Sequence, residues 1–412
     1  MNNTKEIIIE INPDRVNEAD IIVGIPSYNE SKFISYPTLQ AGIGLREFFK
    51  GMKSVIINCD NNSSDGTKEA FFNTNTNIPK IYLSTPPGIK GKGNNLRNLF
   101  IKALELKAKA IVVVDADLKS ITPKWIYNLG SPLFNDYGFV APIYVRHKYD
   151  GTITNNIAYP LTRCLYGRRV RQPIGGDFGF SGELAEFYLN HKLWTEDIEE
   201  FGIDIWMTTI AMNRGFPICQ SFMGSPKVHK PKDPSADLGP MFVQVMGAIF
   251  TMMEEFSDFW MKVKWSKPTA IYGFGLGENE VPPPVEVNED RLYQKFHHEF
   301  DYFQEKWKAI LSPEVYLKLM EVKEMNRSRF EFPPALWAKI LFDFGISYHL
   351  KIMDKRSLLD ALIPLYYGRI FSYVRSTRNM DTREAEEYIE EQCLIFEETK
   401  HYLIERWVSN HN

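Results

Sequence analysis

Short apolar runs rich in β-branched residues alternate with longer stretches of helical spacing through the first third of the chain. The runs fall at 21–26, 55–58, 80–83, 110–114 and 139–143; the stretches between them fall at 36–50, 66–72, 94–106 and 123–134. A strand covered by helices on both faces is apolar at every position rather than at alternate ones. Strands of that kind separated by helices predict an α/β domain with a mostly parallel sheet. After residue 240 the pattern changes to helical stretches at 242–265, 289–310, 313–325, 334–344, 358–375 and 382–405, punctuated by a Pro/Gly-rich segment at 272–284. The expected organisation is an α/β domain over 1–240 followed by a mainly α-helical region over 241–412.

In parallel α/β sheets ligands bind beyond the carboxyl ends of the strands, so the residues that follow each run carry the chemistry. They are Ser27-Tyr28-Asn29-Glu30, then Asp60 to Thr67, then Gly88-Ile89-Lys90-Gly91-Lys92-Gly93-Asn94-Asn95, then Asp115-Ala116-Asp117. Polar groups at four consecutive strand ends are most economically read as one site. Asp115 and Asp117 stand at alternate positions of extended backbone and so face the same side. Two carboxylates placed together repel, and a divalent cation with its phosphate ligands relieves that repulsion through hard oxygen donors. An Asp in a surface turn that caps the next helix fits the same triplet. Ser64 to Thr67 read as a strand-to-helix loop with a capping residue, which leaves Asp60, directly at the strand end, to grip a ribose or base. The Gly/Lys loop has the composition of a phosphate cradle at a helix N-terminus, and equally that of a flexible basic loop. It lacks the spacing of a Walker A motif. Asp204, flanked by Ile203, Ile205 and Trp206, is either a paired structural charge or a site residue. His229, between Lys227 and Lys230, would complete a manganese-type site only in the company of Asp117.

Composition narrows the class. The 412 residues make two or three domains at roughly 150 residues each, and 44% apolar with 24% charged residues is globular rather than disordered. Lys plus Arg (48) against Asp plus Glu (52) leaves a net charge of −4, so no basic excess is present to hold nucleic acid or an anionic membrane. Four cysteines lie far apart with no CxxC pair, which fits a reducing compartment. The N-terminus lacks the apolar core of a signal peptide, and the most apolar stretch, 240–253, is too short to span a bilayer. The expectation is a cytoplasmic protein without nucleic-acid or membrane partners, its aromatic-rich helical region offering a candidate homodimer surface.

Taken in order, these strings resemble the GT-A glycosyltransferases, which have a Rossmann-like, mostly parallel sheet. Within that group they resemble the retaining enzymes that make mannosylglycerate, glucosylglycerate and glucosyl-3-phosphoglycerate. The resembling pieces are Ile25 to Glu30, Asp60 to Thr67, Gly91-Lys92-Gly93, Asp115-Ala116-Asp117, Arg171-Gln172-Pro173-Ile174-Gly175-Gly176, Gly202-Ile203-Asp204 and His229. The resemblance implies a donor half over 20–120 and an acceptor half over 121–240. It implies transfer of mannose or glucose from a GDP- or UDP-sugar to D-glycerate or 3-phosphoglycerate, with Mg²⁺ or Mn²⁺. By the same match Ser27, Tyr28, Glu30 and Asp60 would surround the donor nucleoside. Lys92 would contact its base or diphosphate, Asp115 would touch the ribose or the metal's water, and Ala116 would stand with them on the donor side. Asp117 and His229 would ligate the metal. Arg146, Thr152 and Asn155 would grip the acceptor carboxylate, Gly175 and Gly176 would approach the acceptor or the sugar, and Asp204 would be the carboxylate near the acceptor hydroxyl.

Two departures stand out. The family generally has Glu soon after the Gly pair, where this chain has Asp177, and the cluster Arg163, Arg168, Arg169 and Arg171 reads either as an acceptor phosphate site or, more simply, as the charged outer face of an amphipathic helix. An inverting GT-A transferase with a lipid phosphate or polysaccharide acceptor shares the donor half, and a sugar nucleotidyltransferase shares the acidic strand end. The Gly175-Gly176 and Asp204 set opposes the first, and the glycine-free segment after the first strand opposes the second.

Overall fold

The structure, a computed structural model, describes residues 9–228, 239–273 and 282–409. Among them the five apolar runs form β2 to β6 of one nine-stranded sheet, and four further strands complete it: β1 (Ile9–Ile11), β2 (Ile21–Ser27), β3 (Ser54–Asp60), β4 (Lys80–Ser84), β5 (Ala110–Val113), β6 (Phe139–Val145), β7 (Phe178–Ser181), β8 (Ile218–Pro226) and β9 (Ala270–Tyr272). Their order across the sheet is β1-β4-β3-β2-β5-β7-β6-β8-β9. The block β4-β3-β2-β5 is parallel, β7 runs antiparallel to both β5 and β6, and β6, β8 and β9 are again parallel. Every residue of β2 and of β5 is buried, as strands covered on both faces require. The helices that follow the strands of this first block are α1 (Ser35–Phe48) after β2, α2 (Thr67–Asn73) after β3, α3 (Lys92–Glu105) after β4 and α4 (Pro123–Gly130) after β5. Leu45, Phe49, Trp125, Ile126 and Leu129 close over Val23, Ile25, Val112 and Val114 to make the core on one face.

The chain leaves β2 for β3 and β4 on one side and returns to β5 on the other side of β2. The carboxyl ends of β2 and β5 therefore flank the point where strand order reverses, which is where open α/β sheets hold their ligands. The register aligns Ser27 with Asp60 and Asp60 with Ser84. Because β7 is antiparallel, it begins where β5 ends, with Phe178 opposite Val113. The residue just before it is thereby delivered to the same edge.

Two compact units result, each assembled from three chain segments. One is Met1–Arg146, Val170–Pro231 and Thr269–Pro283; the other is His147–Arg169, Lys232–Pro268 and Pro284–Asn412. The second unit is helical, as expected of this part of the chain. It comprises Gly239–Glu255, Ser257–Trp260, Glu289–His298, Phe300–Ile310, Pro313–Glu324, Pro334–His349, Lys355–Thr377 and Thr382–Ser409, joined by Tyr159–Tyr166 from the middle of the sequence. Trp260, Trp307 and Trp337 are fully buried in it, and the indole N–H of Trp307 donates to the Ala361 carbonyl at 2.7 Å. The stretch 289–310 is two helices meeting at Glu299 rather than one, and the Pro/Gly segment lies largely outside the described residues. Arg163 does not sit on an outer helix face. It is 1% exposed, paired with Glu390 and Glu397, and its Nε donates to Ser266 Oγ at 3.1 Å. A buried guanidinium is tolerated only when paired in this way, so Arg163 is structural. No helix of the described residues is long and apolar enough to cross a membrane, and all four cysteines are buried and outside any disulfide.

Candidate active site at the carboxyl edge of the sheet

At the ends of β2, β3 and β4 the polar residues bind one another first. Asp60 is fully buried and accepts from Ser27 Oγ (2.6 Å), Ser63 N–H (2.6 Å), Ser63 Oγ (2.7 Å) and Tyr82 Oη (2.8 Å). Four donors on one carboxylate leave it no free lone pair of consequence, so Asp60 holds the loops in place from beneath. The loop after β3 is laced to the loop after β2. Ser63 Oγ accepts the Asn29 N–H at 2.7 Å, Thr67 Oγ1 that of Glu30 at 2.9 Å and Asp65 that of Ser31 at 3.0 Å. Tyr28 stands out of this lattice, 43% exposed, with the Lys90 ammonium 4.7 Å from its ring centre. Asn61 and Asn95, two buried amides, pair at 2.8 Å, and Asn95 donates onward to the Ser27 carbonyl at 3.1 Å.

The Gly/Lys loop differs from a phosphate cradle. A Cβ on Gly91 would lie 2.2 Å from the Glu199 carbonyl oxygen, and one on Gly93 1.8 Å from that of Ile198. The amide of Gly91 donates to Asn61 Oδ1 at 3.2 Å and that of Gly93 to the Glu200 carbonyl at 3.2 Å. Those two glycines serve a close backbone approach to the Glu196–Glu199 turn, and their N–H groups are engaged by the protein. What the loop presents to the site is Lys92, carried on the first residue of α3.

Lys92 is the hub of the cluster. Its Nζ lies 2.9 Å from Asp115 Oδ1, 3.2 Å from the Gly176 carbonyl, and 3.1 and 3.2 Å from the two oxygens of Asp204. Opposite it Lys227, 6% exposed, donates to the Gly175 carbonyl at 2.7 Å and to Asp177 Oδ2 at 2.7 Å, and lies 3.2 Å from Asp115 Oδ2. Asp177, fully buried, also accepts the Asp115 N–H at 2.9 Å and the Tyr144 hydroxyl. Gly176 has φ +83°, and a Cβ there would lie 2.3 Å from Asp115 Oδ2, so glycine is the residue that fits. Asp204 sits in the first turn of Ile203–Asn213, a helix tied to the loop before the Gly pair through Thr208 Oγ1, which donates to the Pro173 carbonyl at 2.9 Å. Two ammonium groups thus stand among the carboxylates of Asp115, Asp177 and Asp204. Burial alone would pull the Lys92 ammonium down, but Asp115 and Asp204 outweigh it and the net movement is upward. Asp204 is pushed above the ordinary carboxylate range by burial; Lys92 pulls the other way, and Asp115 shares that same ammonium.

Asp117 is different from its neighbour. Partly buried, it has no hydrogen-bond or ion-pair partner among the described residues, so its hard oxygens are available to a cation. Asp115, by contrast, is held by both lysines. No group of three or more His, Cys, Asp or Glu side chains is arranged for a metal among the described residues, and His229 lies outside them. Arg146 donates to Gln172 Oε1 at 3.3 Å and lies over the Tyr144 ring, 4.9 Å from its centre. Thr152 and Asn155 belong to the helical unit. There the Thr152 hydroxyl bonds that of Tyr366 at 2.7 Å, while Asn155 donates to the Lys148 carbonyl at 3.3 Å. The sequence alone does not mark Asn61, Tyr82, Asn95 or Tyr144, and marks Lys227 only as the neighbour of His229. An Asn-Asn-Ser-Ser string after a strand was the one signal that could have pointed to Asn61.

Comparison with known proteins bears on these residues. The family profile described as "Mannosylglycerate synthase, GT domain" matches residues 67–251, a span that includes Lys92, Asp115, Asp117, Gly175, Gly176 and Asp204 and begins after Ser27 and Asp60. Mannosylglycerate synthase of Selaginella moellendorffii is 24% identical over 172 residues, covering 40% of this chain and 40% of that protein. That of Rhodothermus marinus is 26% identical over 174 residues, covering 40% and 43%. Glucosyl-3-phosphoglycerate synthase of Petrotoga mobilis is 27% identical over 217 residues, covering 46% and 63%. The matched part is thus less than two thirds of each relative's length. Among solved structures, glucosyl-3-phosphoglycerate synthase of Mycobacterium tuberculosis in complex with Mg²⁺ and uridine diphosphate aligns with TM-score 0.45 and 21% identity, over 57% of this chain and 79% of that one. The chain therefore resembles the mannosylglycerate and glucosyl-3-phosphoglycerate synthases, the group to which its motifs point.

Proposed function

We propose that this protein is a retaining glycosyltransferase that moves mannose or glucose from a GDP- or UDP-sugar to D-glycerate or 3-phosphoglycerate with the help of Mg²⁺ or Mn²⁺. The observation that carries the reading is the cluster at the reversal point of the sheet. Lys92 there is held between Asp115 and Asp204, beside an Asp117 carboxylate with no partner of its own among the described residues. The named activities of the matched relatives support it.

The exposed Tyr28 ring, with Lys90 above it, offers a stacking face to the nucleobase, on loops that Asp60 and Ser27 hold rigid. Glu30 and the Asp115-Ala116 backbone complete the donor side. Asp117 and His229 would hold the divalent cation, which when bound supplies electrostatic stabilisation of the leaving diphosphate. Lys92 is aimed at the same developing charge from the protein side. Breaking the bond between the anomeric carbon and the phosphate oxygen leaves an oxocarbenium-like sugar. The acceptor hydroxyl then adds to the face the diphosphate leaves, and its proton passes to the departing phosphate oxygen, which balances the reaction with retention. Asp204 orients that hydroxyl or steadies the positive sugar, a role that needs it charged and explains why Lys92 is placed against it. Arg146 and the Gly175-Gly176 turn form the acceptor side. Thr152 and Asn155 are engaged within the helical unit and are not carried into this assignment.

Titration calorimetry with UDP and GDP tests the cation site. Mn²⁺ is expected to strengthen binding of one nucleotide to the native protein and to have no such effect in Asp117→Ala. Equal strengthening in both would remove Asp117 from the cation site.

A further inference from the structure

We infer that Asp177 is a positioning residue of this site: its buried carboxylate, tied at once to the Asp115 backbone, the Tyr144 hydroxyl and the Lys227 ammonium, sets where Asp115 and Lys227 stand when the donor diphosphate binds. The inference rests on the donor-binding reading above. Asp177 is fully buried and so touches no substrate; it acts through others. Its Oδ1 receives the Asp115 N–H at 2.9 Å, which fixes the backbone at the exit of β5. Its Oδ2 receives Tyr144 Oη and Lys227 Nζ, the latter at 2.7 Å. Lys227 then reaches Asp115 Oδ2 at 3.2 Å and the Gly175 carbonyl at 2.7 Å, and the Tyr144 hydroxyl, whose one proton goes to Asp177, stands 3.1 Å from that carbonyl. One carboxylate thereby links the ends of β5, β6 and β8 and the Gly175-Gly176 turn. The antiparallel course of β7 is what brings it there, since its first residue, Phe178, pairs with Val113. Space for adjustment is small: a Cβ on Gly176 would fall 2.3 Å from Asp115 Oδ2 and 3.2 Å from Lys227 Nζ.

Chemistry makes the position specific. Asp177 presents two acceptor oxygens to three donors. An amide of the same shape has one acceptor oxygen and an NH₂ group. In Asp177→Asn, either the Asp115 N–H or the Lys227 ammonium must therefore face a donor, and Lys227 loses one of its two carboxylates. Asp115 and Lys227 would shift together, while the apolar packing around them stays as it is.

The test is calorimetric binding of UDP and GDP, with Mn²⁺ and with chelator, to the native protein, Asp177→Asn and Tyr144→Phe, run well below each melting midpoint. A charged hydrogen bond lost from such a network corresponds to about a tenfold change in an equilibrium. The expected result is an affinity about tenfold weaker in Asp177→Asn and a smaller loss in Tyr144→Phe, which removes one donor from the same carboxylate and keeps the ring. A purely structural role would lower the melting midpoints and leave both affinities unchanged, and that result overturns the inference while the donor-binding reading stands. If Asp177→Asn does not fold, Tyr144→Phe decides: a weakened affinity supports the link and an unchanged one overturns it. A native protein that binds neither nucleotide in either condition overturns the donor-binding reading itself, and the inference with it.

Discussion

Asp204→Asn keeps shape and removes charge, whereas Asp204→Ala removes both. Each is expected to lower the transfer rate at least about a hundredfold, in the range seen when a group that stabilises transition-state charge is lost, with nucleotide affinity within a few-fold of native. Near-native transfer in both would exclude Asp204 from the chemistry. A second residue separates stability from catalysis. Burial works upward on the Asp65 carboxyl, but hydrogen bonds from Thr67 and Ser31 hold it down at about 2. Its folded value lies below the unfolded one of about 3.9. The charged form therefore contributes stability above pH 4, and that contribution is lost as pH falls toward 2. Urea unfolding of native protein and Asp65→Asn should differ at pH 7 and converge by pH 2; a constant difference would mean the charge plays no part. At this scale the sequence marks Asp115, directly at a strand exit, and Asp204, in an apolar segment, because a charge there needs a reason, whereas Lys92 is marked only by the Gly/Lys loop that carries it. The sequence marks Asp177 only as standing where the enzymes it resembles generally carry Glu, because what gives it meaning is the antiparallel neighbour strand.

The strands were readable as elements because both faces of β2 and β5 are covered, and a fully buried strand writes itself as an unbroken apolar run. β7 is four residues, Phe-Gly-Phe-Ser, with too little apolar length to stand out. Gly91 and Gly93, at the start of α3, are legible as a loop but not as a packing contact, since the Glu199 and Ile198 carbonyls they approach lie 108 and 105 residues away in sequence. Gly93→Ala would place a methyl inside the van der Waals distance of that carbonyl and force α3 to shift, which costs on the order of 1–3 kcal/mol. Denaturant unfolding should show that loss, together with weaker nucleotide binding through Lys92, one residue away. Unchanged stability would mean the contact relaxes freely.

At the scale of the molecule, the class of fold was legible: an α/β sheet in the first part of the chain and helices in the second. The spatial partition was not. A single boundary at residue 240 reads composition along the chain, yet Tyr159–Tyr166 packs with the helical unit and β9, at Ala270–Tyr272, completes the sheet beside β8. Arg163, buried against Glu390 and Glu397, shows why. In a fragment 1–240 its guanidinium would lose both carboxylates, and unpaired charges of that kind cost several kcal/mol when buried. That fragment is expected to lack a cooperative thermal transition while the full chain has one; a cooperative, nucleotide-binding 1–240 fragment would contradict this.

Incubation of the full chain with UDP-glucose, GDP-mannose and related sugar nucleotides tests the central claim most directly. D-glycerate and 3-phosphoglycerate serve as acceptors, Mg²⁺, Mn²⁺ or chelator is present in turn, and the anomeric configuration of the product is read by NMR. The account predicts transfer to one of these acids with the donor's anomeric configuration kept, abolished by chelator and by Asp117→Ala. Transfer with inversion, or no turnover of any donor in the presence of either cation, would contradict it.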